Sequence, residues 1–385
     1  MATENNNKTL NVPNLRFPEF SEEWERSSLG VVFCKVENGL TYDPNNSEGL
    51  PVTRIETISD RSINYKRVGY AKDDGKLSKY KMEPGDILFS HINSLKHIGK
   101  TAYYDGEHPL YHGMNLLLLR TTNEESARFL FYQLNTSRFL HRCQVLANQA
   151  VNQASINTRE LKGITLHKPS IKEQIKIADF ISLLDNRIAT QIKIIEKLES
   201  LIKGLCSSLF DKNKYDSFVR LGDISEITNG NSDVQDASLS YSDGMYPFFD
   251  RSEDIKFLPE YLLDKEAIIY PGEGSEFYPR YYNGKFALHQ RCYAIYDIAP
   301  NFATRYLYFF CKTQNSYFVR NAVGSTVASL RLDTFKRLNI PNIPIELQKT
   351  YVQLLDKIET KIVDNKTVLK KYEEQKRYLL SNLFI

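Results

Sequence analysis

The apolar residues between positions 181 and 209 fall at steps of three and four. Ile181, Leu184, Ile188, Gln191, Ile195, Leu198, Ile202, Leu205 and Leu209 make the series, with one polar member. Such steps place side chains on one seam of an α-helix, in the a and d positions of a coiled coil. The series returns 174 residues later as Leu355, Ile358, Ile362, Asn365, Leu369, Tyr372, Lys376, Leu379 and Leu383. Neither stretch contains proline, and Pro169 and Pro344 stand just ahead of them, where proline is tolerated. The polar member recurs at one place, Gln191 falling on Asn365. An amide on a coiled-coil seam costs stability and can fix register; the alternative is an amide that reaches solvent at the seam's edge.

The ungapped match covers residues 156–210 and 330–384, with Gln174 on Gln348 and Ser208-Leu209-Phe210 on Asn382-Leu383-Phe384. A shift of 171 would align Leu183-Leu184-Asp185 with Leu354-Leu355-Asp356 but breaks the seam, so 174 is the repeat. Upstream the match is fainter. Leu29-Gly30 and Leu221-Gly222 open each half, and Asn38-Gly39 and Asn229-Gly230 follow, pairs that suit tight turns. Gly85-Asp86-Ile87-Leu88-Phe89 reads as a turn entering a buried strand, with Ala267-Ile268-Ile269-Tyr270 as its counterpart. Leu116–Leu119 and Cys292–Tyr296 read as further strands, and single helices are predicted over Glu125 to Arg142 and Asn301 to Arg320.

The expected fold class is therefore α/β (α+β): two globular domains separated by two long coiled-coil helices, with an internal repeat. The boundaries are a disordered lead-in at 1–12, domain 1 at 13–168, helix 1 at 169–212, domain 2 at 213–342 and helix 2 at 343–385. Composition changes little in this picture. Hydrophobic residues make up 42% and charged residues 25%, as in ordinary globular proteins. No apolar run has the length of a membrane span, and the polar start lacks the core of a signal peptide. Five cysteines without a Cys-x-x-Cys pattern argue against a disulfide framework or zinc site and fit a reducing cytoplasm. A net charge of +3 neither demands nor excludes nucleic acid.

Searches for chemistry return little. Residues 91–101 end like a phosphate-binding loop, but Ser94 stands where its first glycine is needed. His108 and His112 have helical spacing but lack the glutamate of a metalloprotease. The amino-methyltransferase tetrapeptide and the Gly-x-Ser-x-Gly elbow do not occur. Glu273, Glu276, Asp250 and Asp254 lack convincing spacing to a lysine for a metal nuclease. No catalytic or metal-binding residue is assigned.

Duplex DNA binding needs cations for phosphates, and amides or guanidinium groups for base edges. Polar clusters of this kind recur in both halves. Domain 1 offers Arg61, Lys66 and Arg67; then His91, Asn93, Ser94, Lys96, His97 and Lys100; then Gln149, Asn152 and Gln153. Domain 2 offers Arg280, Tyr281, Tyr282 and Lys285; then His289, Gln290 and Arg291; then Ser325, Thr326, Ser329 and Arg331, placed where domain 1 has Gln149 to Gln153. One scaffold with different polar loops suits the reading of two different sequences. Competing readings are a coiled-coil adaptor that binds protein and a metal-dependent nuclease.

With the repeat in place, the chain resembles the specificity (S) subunits of type I restriction–modification systems. Pro13-Asn14-Leu15-Arg16-Phe17-Pro18-Glu19-Phe20 with Trp24-Glu25 resembles the start of their first target-recognition domain. Pro169-Ser170-Ile171-Lys172-Glu173-Gln174 resembles the start of their conserved helix, and Pro344-Ile345-Glu346-Leu347-Gln348 matches more loosely. The resemblance implies two target-recognition domains that each read half of a split double-stranded DNA site. It implies helices that pair as an antiparallel coiled coil with pseudo-twofold symmetry, set the half-site spacing and dock methyltransferase (M) subunits, two of them, with restriction (R) subunits joining. It implies a non-catalytic chain that binds no cofactor, in a complex using S-adenosylmethionine in M and ATP with Mg2+ in R.

Overall fold

The computed structural model describes residues 11–59, 61–73, 75–150 and 153–385. The chain divides into two compact units, one running to Thr190 and taking in Leu369–Ile385, the other Gln191–Val368. The lead-in expected at 1–12 lies almost wholly outside the described residues.

Unit 1 is built on an antiparallel sheet in the order Phe33–Asn38, Leu117–Thr121, Ile87–Phe89, Thr101–Tyr103. Alternate residues leave opposite faces of a strand. Ile87, Phe89, Leu117 and Leu119 enter the main core with the helices. Leu88, Ala102, Leu116 and Leu118 fill a second cluster behind the sheet. Both faces are covered, so the run Leu116–Leu119 has no polar alternation.

Unit 2 repeats this order with Glu226–Asn229, Cys292–Tyr296, Leu263–Pro271 and Arg280–Leu288. It then extends the sheet with Tyr246–Phe249, parallel to its neighbour, and Lys256–Leu258. The counterparts expected from sequence, Gly85–Phe89 and Ala267–Tyr270, lie on strands Ile87–Phe89 and Leu263–Pro271, which hold equivalent positions, and the structure makes Leu117–Thr121 and Cys292–Tyr296 equivalent as well. The segments joining the first two shared strands differ most: unit 1 has two small two-stranded sheets there, unit 2 the extension.

Two details differ from expectation. Each single helix predicted after the sheet is broken in two, as Ala127–Leu134 and Ser137–Leu146, and as Thr304–Lys312 and Asn315–Asn321. In unit 1 the Thr136 hydroxyl accepts from Phe139 N–H, capping a new helix and stopping the old one. Gly39 and Gly230 also serve a purpose other than a tight turn. A Cβ at Gly39 would lie 2.0 Å from the His112 carbonyl oxygen, and one at Gly230 would lie 2.0 Å from that of Leu288. The glycines allow backbone to approach backbone.

The long helices run Ile171–Leu209 and Ile345–Asn382. In unit 1, Ile181 and Leu184 share a core with Leu379, Leu380 and Leu383. In unit 2, Ile202 and Cys206 share one with Leu355, Ile358 and Ile362. Early positions of one helix meet late positions of the other, so the pairing is antiparallel. Lys376 on the seam reaches Asp185 at 2.5 Å. Gln191 donates to the side-chain oxygen of Asn365 and, at 3.2 Å, to its backbone oxygen. These partners are 174 residues apart, the repeat offset itself. Two copies of one helix paired antiparallel have one point where a residue faces its own copy, and the amides mark it.

Gln174 and Gln348 have matching roles. Each is buried at a long-helix start, and its side-chain oxygen accepts the backbone N–H of a residue capping a sheet-packed helix, Ser126 at 3.0 Å and Ala303 at 2.9 Å. The amide nitrogens donate to Pro169 and Ile343 backbone oxygens. The repeated glutamines thus pin each globular part to its long helix. Unit 1 adds a clasp of its own. Glu173 accepts two hydrogen bonds from Arg16, at 2.8 and 2.7 Å, and one from Trp24 Nε1 at 3.3 Å.

Candidate nucleic-acid interface

In unit 1 the strands Ile87–Phe89 and Thr101–Tyr103 are joined by a long connection closed at its neck. Ser90 N–H donates to the Lys100 oxygen at 2.8 Å, and Gly99 N–H to the Ser90 oxygen at 2.9 Å. Within it, Ile92–Asn93 pairs with Gln153–Ser155, which pairs in turn with Asn148–Ala150. Ala154 faces Asn93 on one side and Gln149 on the other. The structure therefore brings together two of the clusters expected from sequence. A further bond, Ile156 N–H to the His91 oxygen at 2.9 Å, seals the base of this hairpin.

Ser94, Lys96 and Lys100 are exposed on the connection, and Gln153 on the hairpin. The two lysines hold no ion pair among the described residues. Asn93 is half-buried; its amide donates to Ser90 Oγ at 3.2 Å, and its oxygen accepts from Ser94 N–H. Ser94 Oγ lies 3.3 Å from His97 Nδ1. His91 corrects an expectation. It is buried at 6% exposure, and burial pushes its pKa down to about 4, so it is neutral at pH 7 and offers no charge to a phosphate. Asn152 lies outside the described residues, and Gln149 is placed only as a member of its strand.

Unit 2 rebuilds the arrangement with other side chains. Residues 272–279 connect Leu263–Pro271 to Arg280–Leu288. Val323 and Ser329 exchange N–H···O bonds of 2.9 and 2.8 Å, forming a second hairpin. Leu330 N–H donates to the Gly272 oxygen at 2.8 Å, as Ile156 does to His91 in unit 1. Ser325 and Thr326 are exposed at the hairpin's tip, and exposed Arg331 follows it. Beside the hairpin, a cavity of about 550 Å³ is lined by Asp233, Asp250, Glu273, His289, Gln290 and Arg291 among others. Arg291 donates to Glu273 at 2.7 Å, Ser329 Oγ to the same carboxylate at 3.4 Å, and Gln290 to Asp233 at 3.4 Å. Arg291 is 62% exposed as a side chain, so its fork can turn outward.

The cluster Arg280 to Lys285, expected as a loop, is strand instead. Period-two alternation splits it. Arg280 stacks at 6.0 Å over Phe249, and Tyr282 packs on the same ring. Tyr281 turns to the other face, under Arg305 and Tyr308, with its hydroxyl on Glu266. Burial and Glu266 raise its pKa. Lys285 sits over the rings of Tyr246 and Tyr261. Two of the carboxylates weighed for a nuclease are engaged otherwise: Asp250 takes Lys256 and Ser252, and Glu273 takes Arg291. Sequence reasoning missed the lining role of Asp233 and the Glu273–Arg291 pair; acid–base partners far apart in sequence leave no local signal.

In unit 1 the run Arg61, Lys66, Arg67 is not one patch. Arg61 sits in a left-handed turn at φ 65 and lines a cavity with Arg138 and Arg377. Lys66 and Arg67 are exposed elsewhere on a short 3-10 turn.

Two sheets of one topology, each carrying a connection-plus-hairpin platform and each pinned to a repeated helix, define a duplicated binding protein. The chain belongs to the type I restriction modification DNA specificity domain family, whose model matches twice, at residues 21–200 and 214–373. It is 41% identical over 228 residues to a putative type I restriction enzyme MjaX specificity subunit of Methanocaldococcus jannaschii, a match covering 57% of this chain and 54% of that protein. It is 24% identical over 195 residues to the type I restriction enzyme StySPI specificity subunit of Salmonella potsdam, covering 49% and 42%. The chain thus spans about half the length of the curated relatives it matches. Among solved structures, the type I restriction-modification S subunit from M. genitalium is similar with a TM-score of 0.67 and 15% identity, over 97% of this chain and 99% of that one. A chain from a study of complex assembly and conformational transition of the type I R-M system gives 0.53 at 14% identity, over 94% and 97%. At these identities the likeness concerns the fold.

Proposed function

We propose that this chain is the DNA-specificity subunit of a type I restriction–modification complex and performs no chemistry itself. The observation that carries the reading is the platform built twice on one topology, with Asn93, Ser94, Lys96 and Gln153 in one unit and Gln290, Arg291, Ser325 and Thr326 in the other. Equal backbones with unequal side chains let each unit read its own half of a split duplex site. Lysines such as Lys96 and Lys100 hold phosphates and set register. Arginine and amide side chains discriminate base edges, each bidentate contact contributing about 1–3 kcal/mol.

The long helices space the half-sites. A helix of 39 residues runs about 58 Å at 1.5 Å per residue, more than the ~34 Å of one DNA turn. Their outer faces carry exposed Phe180, Leu183, Ile194, Leu354 and Val363, apolar surface suited to docking M subunits, two in the complete assembly, with R subunits joining them. S-adenosylmethionine then belongs to M, and ATP with Mg2+ to R. The working compartment is the cytoplasm, where the duplex is. Among the described residues no helix is long and apolar enough to cross a membrane.

The test is to replace residues 323–329 with the corresponding segment of a relative, supply M, and sequence the methylome. One half of the recognition site changes and the other stays. Salt-insensitive, unselective DNA binding by the chain with M would favour the adaptor reading instead.

A further inference from the structure

In unit 1, a cavity of about 340 Å³ is bordered by Arg61, Arg138 and Arg377, with Leu380 and Phe384 also among its lining residues. The three arginines come from distant parts of the chain: a hairpin turn, the start of Ser137–Leu146, and the end of the second long helix. All three are exposed, and none holds an ion pair or side-chain hydrogen bond among the described residues. The carboxylate that acts on Arg61 is Asp185, already occupied by Lys376 at 2.5 Å and the Tyr132 hydroxyl at 2.8 Å. Three guanidinium groups thus border one hollow, which Ile385 also lines, with no aspartate or glutamate side chain among its lining residues.

Guanidinium forks match the oxygen spacing of phosphate, and a site of several forks selects it over a single-charge anion. We infer that the cavity lined by Arg61, Arg138 and Arg377 is a phosphate-binding site, separate from the hairpin platform. The phosphate comes either from a free phosphorylated small molecule or from a DNA backbone. Unit 2 lacks the set: the repeat places Lys203 at the position of Arg377 and Asp211 at that of Ile385.

The test uses the full chain with Arg138→Gln and Arg377→Gln, exposed positions whose loss leaves the unfolding midpoint in place. Calorimetric titration with inorganic phosphate, and separately with thymidine 5′-monophosphate, is run at ionic strength fixed with chloride. A mixed-sequence duplex is titrated in parallel across salt concentrations. If the occupant is a free phosphate, binding saturates in the parent and weakens about tenfold in each variant, and the salt slope for DNA is unchanged. If the occupant is DNA backbone, the slope falls by about one per substitution. Absence of saturable phosphate binding together with an unchanged slope overturns the site. The free-phosphate arm stands whether or not the chain reads DNA.

Discussion

Glu173 is 1% exposed and accepts the Arg16 fork together with the Trp24 indole N–H. Replacing it with leucine, the residue the repeat carries as Leu347, removes a charge and strands two donors. Breaking a buried ion pair by deleting one partner costs about 3–5 kcal/mol. Arg16 keeps 13% side-chain exposure, so water recovers part of its solvation and the lower end applies. With about 1 kcal/mol for the stranded indole N–H, Glu173→Leu is expected to cost roughly 3–4 kcal/mol. For a unit near 200 residues that is a midpoint loss of roughly 10 °C. Trp24 is the chain's only tryptophan and lies in the clasp, packed on Phe129, so its emission reports unit 1 alone. Denaturant unfolding followed at Trp24 measures the change. The double variant Arg16→Met with Glu173→Leu should recover stability to within about 1 kcal/mol of the parent, because the uncompensated charge is gone. A single variant within about 0.5 kcal/mol of the parent, or a double variant as unstable as the single, would refute the reasoning.

Other expectations follow from the same geometry. His91 and His112 both have pKa values lowered by burial to about 4, below the ordinary 6.5. The unfolded chain therefore binds more protons between those values, so unit 1 stability is full above about pH 6.5 and falls as pH drops toward 4; Trp24 unfolding curves across that window check the sign. In unit 2, burial opposes ionisation of Glu359, but Lys312 and Arg305 outweigh it and hold its pKa below the usual 4.5. Its contribution is present above pH 4.5 and lost on further acidification, and Glu359→Gln should flatten that limb of a circular-dichroism titration. Changing Gln191 to leucine strands the Asn365 side-chain oxygen and costs about 1–2 kcal/mol, whereas leucine at both positions raises stability and loosens register, read as mixed association states in ultracentrifugation. Inserting four residues after both Gln191 and Asn365 lengthens each helix by about 6 Å, so the gap between half-sites widens by about two base pairs in a methylation map.

The long helices were legible because their seam is a local pattern. Steps of three and four need no knowledge of the partner, and the 174-residue offset fixed which copies correspond. The sheet order was half legible. Ile87–Phe89 and Leu117–Thr121 announced themselves as apolar runs, but their pairing depends on contacts remote in sequence. Where the sequence misled, tertiary context prevailed. Arg280 to Lys285 looks like a polar loop, yet alternation packs half-buried Tyr281 and Tyr282 against opposite faces of a strand. His91 stands among surface residues and is itself inside. The hairpin platforms could be located because the sequence set Ser325, Thr326, Ser329 and Arg331 where domain 1 has Gln149 to Gln153, while the Glu273–Arg291 pair and the three converging arginines are products of folding alone.

In the proposed function, two equivalent platforms read two halves of one DNA site independently. This is tested most directly by methylome sequencing of cells expressing the chain with its M partner, before and after exchange of residues 323–329. The expected result is a split motif in which the exchange rewrites one half and preserves the other half and the gap. A single uninterrupted motif, or an exchange that rewrites both halves together, would contradict it.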